Sequence, residues 1–514
     1  MTQNHTVHAA HPPQAPDRRR WAALGVLVGA MLLLAVDGTV LYLAVPSLVA
    51  DLAPSADQVL WIGDVYGLAL AGLLITTGTL ADRLGRKRVL LAGTAAFGAA
   101  SALAAFAPDA GTLIAARLLL GVAGATIMPS TLSIIRDLFP DDRERTRAIA
   151  IWSAASGGGM AVGPLLGGAL LEHFWWGSVF LINVPIVVVF LVAGAFLLPE
   201  SRNPRPGRFD LLSAALSLAA VVPLVWAVKH AVGSGVDGAT LLATAVGVVA
   251  GVVFVRRQRR LDTPLIDVGL FADKAFSGAV FANVIAIFAL SGLLFFFSQY
   301  LQLVRGMGPL TAGLAEVPTT AAAILAAGVV GVLVARLGTG RAVGAGLAAA
   351  AVGLGLVAVA EGSDRYLWLG LALVPVGLGI GVAMTLTTDA VVSAVPPRRA
   401  GAASAIAETA YELGAVLGIA LLGSGVTLAY RSALELPADL PDPVRAAVVD
   451  SLASALHAVE PGSGAATAAR EAFTSAMQVT SVLAAVITAV AALVAWRTIP
   501  SGRKTPTTTD QGEE

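Results

Sequence analysis

The sequence predicts an all-α polytopic membrane protein with fourteen transmembrane helices. Its 514 residues are 57% hydrophobic and 13% charged, with a mean hydropathy of +0.81, whereas soluble domains carry about 25% charged residues. Long apolar runs follow one another along most of the chain, and a helix needs about 20 such residues to cross a bilayer. A third observation is an internal repeat, which predicts two similar helical halves.

The apolar runs define the predicted spans, which lie in chain order at about 21–43, 58–80, 88–107, 111–137, 148–171, 178–198, 209–230, 239–255, 274–303, 311–335, 341–360, 366–394, 400–428 and 473–497. An even number of spans puts both termini on one side of the membrane. Most of the 33 Lys and Arg residues then fall on that side, which the positive-inside rule identifies as the cytoplasm. The basic residues assigned to external segments are Lys229, Arg305, Arg365, Arg431, Arg445 and Arg470.

The spans group into domains. These are a cytoplasmic tail, a six-helix bundle, a linker with two extra transmembrane helices, a second six-helix bundle and a second cytoplasmic tail, at 1–20, 21–199, 200–273, 274–497 and 498–514. The linker helices are predicted to lie outside both bundles, because they fall between the repeats and have no repeat partner. The one long external loop, 429–472, carries an apolar stripe that predicts a short helix on the membrane or over the pore mouth.

The loop between the second and third spans has the sequence GTLADRLGRKRVL, and its basic residues place it in the cytoplasm. A second copy, GVLVARLGTGR at 331–341, repeats its pattern but lacks the acidic residue. The glycines allow close backbone approach, and the carboxylate of Asp82 is suited to the positive N-terminus of a neighbouring helix. We interpret the first copy as a cytoplasmic gate motif formed by Gly78, Asp82, Arg83, Gly85 and Arg86.

Ionisable side chains also lie within the spans, where each costs about 2.5–3.5 kcal/mol on insertion scales. They are Asp37, Asp64, Arg117, Glu316, Glu408 and Glu412. Such groups should line a water-filled cavity or pair with one another. The expected depths of Asp37, Asp64 and Arg117 bring them close enough to interact. A permanent structural pair between Asp37 and Arg117, and a structural role for Glu316, remain the alternatives to functional roles.

Glu408 and Glu412 share one helical face near the middle of the membrane, with Tyr411 beside them. Two carboxylates next to an aromatic ring suit a delocalised cation. A bond from one glutamate to a neighbouring helix is the alternative, and Glu412 is the better candidate for it.

The fifth span contains GGGMAVGPLLGG, in which small residues permit close helix packing and the proline bends the helix. Glycine density alone is weak evidence in a chain with 55 glycines. The order of Gly-Pro followed by Gly-Gly is more specific, and the motif residues are Gly159, Gly163, Pro164, Gly167 and Gly168.

Together these stretches resemble the major facilitator superfamily and, within it, the fourteen-helix drug:proton antiporter branch. GTLADRLGRKRVL is similar to the superfamily's signature loop, GMAVGPLLGG to the fifth-helix antiporter motif, and LAVDGTVLYLAVPSL to the first-helix motif. WWGSVFLINVP matches the start of helix six in that branch. Arg117 with Gly121 resembles the fourth-helix motif, although Leu120 stands where relatives often have glutamine. WIGDVYGLALAG and AETAYELGAVLG are most similar to quaternary-ammonium exporters.

The resemblance implies a major facilitator fold and a proton-coupled antiporter. Its expected substrates are lipophilic cationic drugs, dyes and quaternary ammonium compounds, exported by alternating access. Asp37 and Arg117 are expected to couple protons, and the residues expected to bind substrate cations are Asp64, Glu316, Glu408, Glu412 and Tyr411. We expect no cofactor, and the proton gradient is the expected energy source. We also expect no nucleic acid and no obligate protein partner. The expected location is a bacterial cytoplasmic membrane with both termini inside.

Three alternatives remain open from sequence. One is an exporter of an endogenous metabolite or antibiotic on the same fold, and the second is a nutrient symporter, which a preference for neutral solutes would favour. The third is a membrane enzyme, which would need a nucleophile–base pair or a metal cluster, and the sequence suggests neither. The chain has no cysteine, which excludes thiolate catalysis and cysteine-ligated metals.

Overall fold

The computed structural model describes residues 17–202, 210–261, 264–395, 400–436 and 440–501. Over these ranges the chain is helical and contains no β-strand, and fourteen helical stretches are long and apolar enough to cross a membrane. The all-α class and the number of spans are therefore confirmed. Most of the two predicted tails, 1–16 and 502–514, lies outside the described residues.

The first six spans consist of helices α1 (Asp17–Leu52), α2 (Ala56–Leu84), α3 (Arg86–Ala105), α4 (Ala110–Leu138), α5 (Asp142–His173), α6 (Ser178–Leu181) and α7 (Asn183–Leu197). Short polar caps separate them. The Asp109 carboxylate accepts the Thr112 N–H at 2.9 Å, and the Asp141 carboxylate accepts the Glu144 N–H at 2.9 Å. Each cap satisfies a backbone donor that the helix itself leaves unpaired.

The remaining helices are α8 (Leu211–Ser234), α9 (Gly238–Gln258), α10 (Lys274–Gln299), α11 (Pro309–Leu337), α12 (Thr339–Ala360), α13 (Tyr366–Ser393), α14 (Ala400–Leu417), α15 (Gly423–Ala433), α16 (Asp442–Asp450), α17 (Leu452–Ala458) and α18 (Gly464–Thr498). A π-helical turn, Gly418–Leu422, joins α14 to α15 within one span, and another, Tyr300–Val304, extends α10.

Each six-span group has its own hydrophobic core. In the first, α1 packs against α5, α2 against α4, and α3 against both α4 and α7. In the second, α12 packs against α13 and α18, and α11 packs against α13. The second core also takes in the outer ends of α1 and α2, including Val49 and Leu60, so the two halves are joined there.

The two copies of the repeated loop adopt the same turn. Gly85 and Gly338 both have positive φ angles, of 112° and 78°, which glycine adopts without steric cost. After Gly85, the Arg86 N–H donates to the Ser201 carbonyl at 3.0 Å. The Arg341 N–H likewise donates to the Ser501 hydroxyl at 3.1 Å. Each turn is therefore held by the chain segment that leaves the last helix of its own half.

The halves meet at one end of the molecule and separate at the other. A Cβ on Gly168 of α5 would lie 2.8 Å from the Pro309 carbonyl oxygen of α11, so these helices touch backbone to backbone at their outer ends. A Cβ on Gly157 of α5, or on Gly328 and Gly331 of α11, would meet no atom within 4 Å. Among the described residues, these positions of α5 and α11, nearer the side that carries the 78–90 loop, therefore form no contact between the halves.

The linker helices α8 and α9 form a hairpin beside the two bundles. Asp237 caps α9 by accepting the Thr240 N–H at 2.8 Å, and this bond together with His230 lowers the pKa of Asp237 to about 2. Arg257 of α9 reaches Asp210 at 2.9 Å. Helix α9 packs chiefly on α8, whereas α8 also contacts α2 and α15 at the seam between the halves.

The external loop is shorter than predicted, because α15 continues to Ala433 and α18 begins at Gly464. Its apolar stripe belongs to two helices, α16 and α17, rather than one, since Ser451 breaks the helix with an extended backbone. Asp450 accepts the Ala56 N–H of the first half at 3.3 Å, and Val448 accepts the Tyr430 hydroxyl at 2.7 Å. These helices therefore bridge the closed end.

Candidate functional site

Asp37 of α1 and Arg117 of α4 form a fully buried ion pair, with Asp37 Oδ2 at 3.1 Å from Arg117 Nη1. The other carboxylate oxygen accepts a hydrogen bond from Asn183 Nδ2 at 2.8 Å. Arg117 Nε donates to the Ile62 carbonyl at 3.2 Å, and its guanidinium lies 4.5 Å from the Tyr66 ring centroid. The Asp37–Arg117 pair and its hydrogen bonds therefore tie together four spans of the first half.

The sequence anticipated that Asp37 and Arg117 approach each other, but it did not single out Asn183. Asn183 is buried where the sixth span begins, and its amide also donates to Ser101 Oγ at 3.2 Å. The available signal was an isolated polar residue inside the apolar stretch WWGSVFLINVP. Asp64, which was expected to lie near this pair, forms a separate contact.

Asp64 of α2 pairs with Lys229 of α8, with 2.7 Å between Asp64 Oδ2 and Lys229 Nζ. The ammonium also lies 4.2 Å from the Trp61 ring centroid. Assigning Lys229 to an external segment was wrong, because α8 continues to Ser234 and directs the lysine inward against α2. The only sequence signal was a single lysine at the end of an apolar run.

Glu316 of α11 is buried without a charged partner. Within the described residues, neither of its carboxylate oxygens has a hydrogen-bond partner, and the same holds for the nearby Thr319 hydroxyl. The adjacent residue, Ala315, does form a hydrogen bond to another helix, because its carbonyl oxygen accepts the Tyr366 hydroxyl at 2.8 Å. The structure thus provides no bond that would make Glu316 a structural residue.

Glu408, Tyr411 and Glu412 of α14 all keep part of their surface exposed. The Tyr411 hydroxyl lies 3.2 Å from Met160 Sδ of α5. A Cβ on Gly67 of α2 would lie 3.5 Å from Glu412 Oε2. In the part of the chain that the structure describes, neither glutamate forms an ion pair. Tyr411 and Glu412 therefore lie at the contact between the halves.

Helix α2 is common to these sites. Ile62 and Tyr66 face Arg117, Trp61 and Asp64 face Lys229, and Gly67 faces Glu412. Tyr42 of α1 contributes a further aromatic side chain. Tyr42 is buried, and its ring packs edge-on against Phe295 of α10, with 5.5 Å between centroids.

The gate motif forms an ion-pair network within the first half. The Arg86 guanidinium donates to Asp82 at 2.9 Å, one turn earlier in the chain, and to Asp137 of α4 at 2.5 Å. Glu200 accepts the Lys87 N–H at 3.3 Å. Asp82 is thus engaged by an arginine rather than by the predicted helix N-terminus, since the halves lie apart on this side.

The glycine motif of α5 contacts α1 in its own half and α11 in the other half. Gly159, Gly163 and Gly167 each bring the α5 backbone against α1, where Ala35, Thr39 and Val40 would clash with an added Cβ. Gly168 touches the start of α11, and Gly313 of α11 lies against the Pro164 carbonyl. The motif therefore packs α5 inside its own half and against the other half at the closed end.

Comparison with known proteins extends over nearly the whole chain. The Major Facilitator Superfamily profile matches residues 27–419. The multidrug efflux pump LfrA of Mycolicibacterium smegmatis is 47% identical over 482 residues, covering 93% of this chain and 95% of that protein. The methyl viologen resistance protein SmvA of Salmonella typhimurium is 36% identical over 423 residues, covering 82% of this chain and 86% of that protein.

Among solved structures, a bacterial homolog of the human lysosomal transporter Spinster, in an inward-facing and occupied conformation, aligns with a TM-score of 0.67. It covers 94% of this chain and 98% of that chain at 17% sequence identity, so it shows the fold. The family match and the fourteen spans agree with the resemblance seen in the sequence. The chain belongs to the Major Facilitator Superfamily, as a membrane transporter and not an enzyme.

Proposed function

We propose that this transporter is a proton-coupled antiporter that exports lipophilic cations. The observation that carries the proposal is the set of acidic side chains within the membrane-spanning helices, which are Asp37 and Asp64 in the first half and Glu316, Glu408 and Glu412 in the second. Buried carboxylates can exchange protons and bind organic cations, and neighbouring aromatic rings favour the same ligands. The relatives named for multidrug efflux and for resistance to methyl viologen, a dication, support such substrates.

The orientation follows from charge. The basic 78–90 loop lies on the open side of the molecule, so placing it in the cytoplasm makes this conformation inward-open. Both termini are then cytoplasmic in a bacterial cytoplasmic membrane. A cation from the cytoplasm or the inner leaflet reaches Glu408 and Glu412 directly, with Tyr411 offering its ring face.

Asp37 is the proposed coupling residue. While ionised, it holds Arg117 and Asn183 and so joins α1, α4 and the sixth span. A proton arriving at Asp37 removes the negative charge that balances Arg117 and weakens this contact. Loss of the proton restores it, so the proton changes the packing among helices that also carry the substrate face. The proton gradient is the energy source, and no cofactor takes part.

Alternation is proposed to occur at the seams between the halves. The outer seam contains the α5–α11 contact and the α16–α17 bridge, and it must open to release a cation outside. The gate motif lies on the opposite side, where the halves must approach each other in the outward-open state. Asp82 and Arg86 are placed to act on that closing step rather than to bind substrate.

The test is export of a cationic dye from proteoliposomes under an imposed pH gradient. The wild type is expected to move the dye against its gradient only when the pH gradient is present. Asp37→Asn keeps the shape of the side chain and should abolish gradient-driven export while the protein still inserts. Arg256→Met, which removes an exposed charge on α9, is the matched control and should export normally. Undiminished export by Asp37→Asn would refute the coupling role.

A further inference from the structure

The ion pair between Asp64 and Lys229 connects the linker to the first bundle. The two side chains are 0% and 1% exposed, and their charged atoms lie 2.7 Å apart. Asp64 belongs to α2, which also contacts Arg117 and lies beside Glu412. Lys229 belongs to α8, a helix that has no counterpart in the internal repeat. The linker therefore supplies a charged group to the interior of the transporter.

The surroundings of Lys229 have the chemistry of a cation site. The ammonium has a carboxylate on one side and the face of the Trp61 ring on the other, which is how proteins hold organic cations. Apart from the ion pair, neither Asp64 nor Lys229 Nζ has a hydrogen-bond partner in the part of the chain that the structure describes. Lys229 thus occupies a site in which another cation would find the same two contacts.

A second carboxylate lies close by. Asp64 and Gly67 are three residues apart on α2 and therefore lie on the same helical face. Glu412 approaches Gly67, with 3.5 Å between its Oε2 and the position of an added Cβ. Glu412 therefore lies beside the α2 position that is one helical turn beyond Asp64. A substrate with two positive charges could contact both carboxylates, but Lys229 neutralises one of them.

We propose that Lys229 is a specificity-determining residue, a tethered cation that competes with substrate for Asp64. With Lys229 in place, Glu412 and Glu408 serve a monocation, and a dication gains its second contact only by displacing the lysine. This inference rests on the proposed function, because it assumes cationic substrates. It goes further in assigning a linker helix to substrate selection.

A role as a simple anchor for α8 does not require this pair. Val225 of α8 already packs in one cluster with Leu68 of α2, Val416 of α14 and Ala420 of the π-helical turn that follows α14. A buried ion pair stabilises a fold little, because desolvation of the two charges offsets their attraction. The apolar contacts are therefore sufficient to hold α8 in place when both charges are removed.

The experiment compares equilibrium binding of methyl viologen, a dication, and tetraphenylphosphonium, a monocation, to purified protein. Lys229→Met should increase the affinity for the dication relative to the monocation by about tenfold. This change corresponds to the lower end of the free energy of a charge-assisted hydrogen bond. The double variant Asp64→Asn/Lys229→Met should lose this gain. Arg256→Met should match the wild type, because Arg256 is an exposed cation on the other linker helix.

An unchanged ratio of dication to monocation affinity in Lys229→Met would overturn the inference. The wild type separates this failure from that of the proposed function, because the proposed function fails if the wild type exports no cation under a pH gradient. If Lys229→Met does not fold, the wild type provides the test. Its lysines are reductively methylated and the extent of labelling of each lysine is measured by mass spectrometry. Methyl viologen should speed labelling of Lys229 relative to the exposed Lys274, and tetraphenylphosphonium should not. Equal labelling with both would contradict displacement of Lys229.

Discussion

At the scale of single residues, the embedded acids fall into two kinds. Asp37 is held by Arg117 and Asn183, and Asp64 is held by Lys229. Glu316 and the α14 glutamates have no such partner among the described residues. Neutralising an acid of the first kind should destabilise the fold, because its basic partner loses its counter-charge. The second kind can change charge without breaking an ion pair.

This difference predicts opposite effects on stability. Asp37→Asn leaves Arg117 as an uncompensated buried charge and should lower the free energy of unfolding by about 3 kcal/mol. Glu316→Gln removes a carboxylate that has no partner and should leave thermal stability unchanged or raised. Thermal unfolding of the purified variants in detergent measures both. The double variant Asp37→Asn/Arg117→Met should recover most of the lost stability. Equal destabilisation by Asp37→Asn and Glu316→Gln would contradict this interpretation.

The sequence predicted which residues are embedded but not all of their contacts. Asp37, Asp64, Arg117 and Glu316 are recognisable because charge is rare in apolar runs. Lys229 and Asn183 were missed, because their partners lie on other spans and the pairing depends on helix packing. A lone lysine near a helix end is equally compatible with solvent, and only the length and direction of α8 show that it points inward.

At the scale of helices, α5 shows how one motif packs a helix both within its own half and against the other half. Three of its glycines fix the distance to α1, and Gly168 sets the contact with α11 at the closed end. The number and approximate extent of the helices followed from hydropathy, because bilayer thickness fixes the length of a span. The break at Ser451 and the π-helical turns did not, since they depend on local capping and on tertiary packing.

The α5–α11 contact gives a prediction for closure. In Gly168→Ala the new methyl would lie 2.8 Å from both the Pro309 carbonyl oxygen and the Leu310 Cα. Overpacking of this kind costs about 1–3 kcal/mol, so the outer-closed population should fall by about tenfold or more. Because the chain has no native cysteine, cysteines can be introduced at the outer ends of α5 and α11 alone. Spin labels on them report the distance between these two helix ends.

The matched control is Gly157→Ala, the same substitution in the same helix. Its methyl would meet no atom within 4 Å, so it should not widen the outer distance. Because both substitutions change helix propensity equally, a difference between them isolates the contact with α11. Identical distance distributions for the two variants would show that the closed end tolerates the added methyl.

At the scale of the whole molecule, two six-span halves meet at one end and part at the other. The closed end combines the α5–α11 contact, the seam of α2 with α14 and α15, and the α16–α17 bridge through Asp450. The open end carries the gate motif, whose ion pairs stay within the first half. Glu412 lies beside α2, between the halves, where the proposed rocking motion would change the side to which it is exposed.

The central claim is that cations and protons move in opposite directions through one cycle. Exchange of this kind is reciprocal, so a cation gradient alone must drive protons. The decisive measurement uses proteoliposomes with a pH indicator inside, no initial pH gradient, and an imposed gradient of tetraphenylphosphonium with the membrane potential clamped. The wild type should move protons against the cation flow, and Asp37→Asn should not. Collapse of the cation gradient through the wild type without any change in internal pH would contradict proton-coupled antiport.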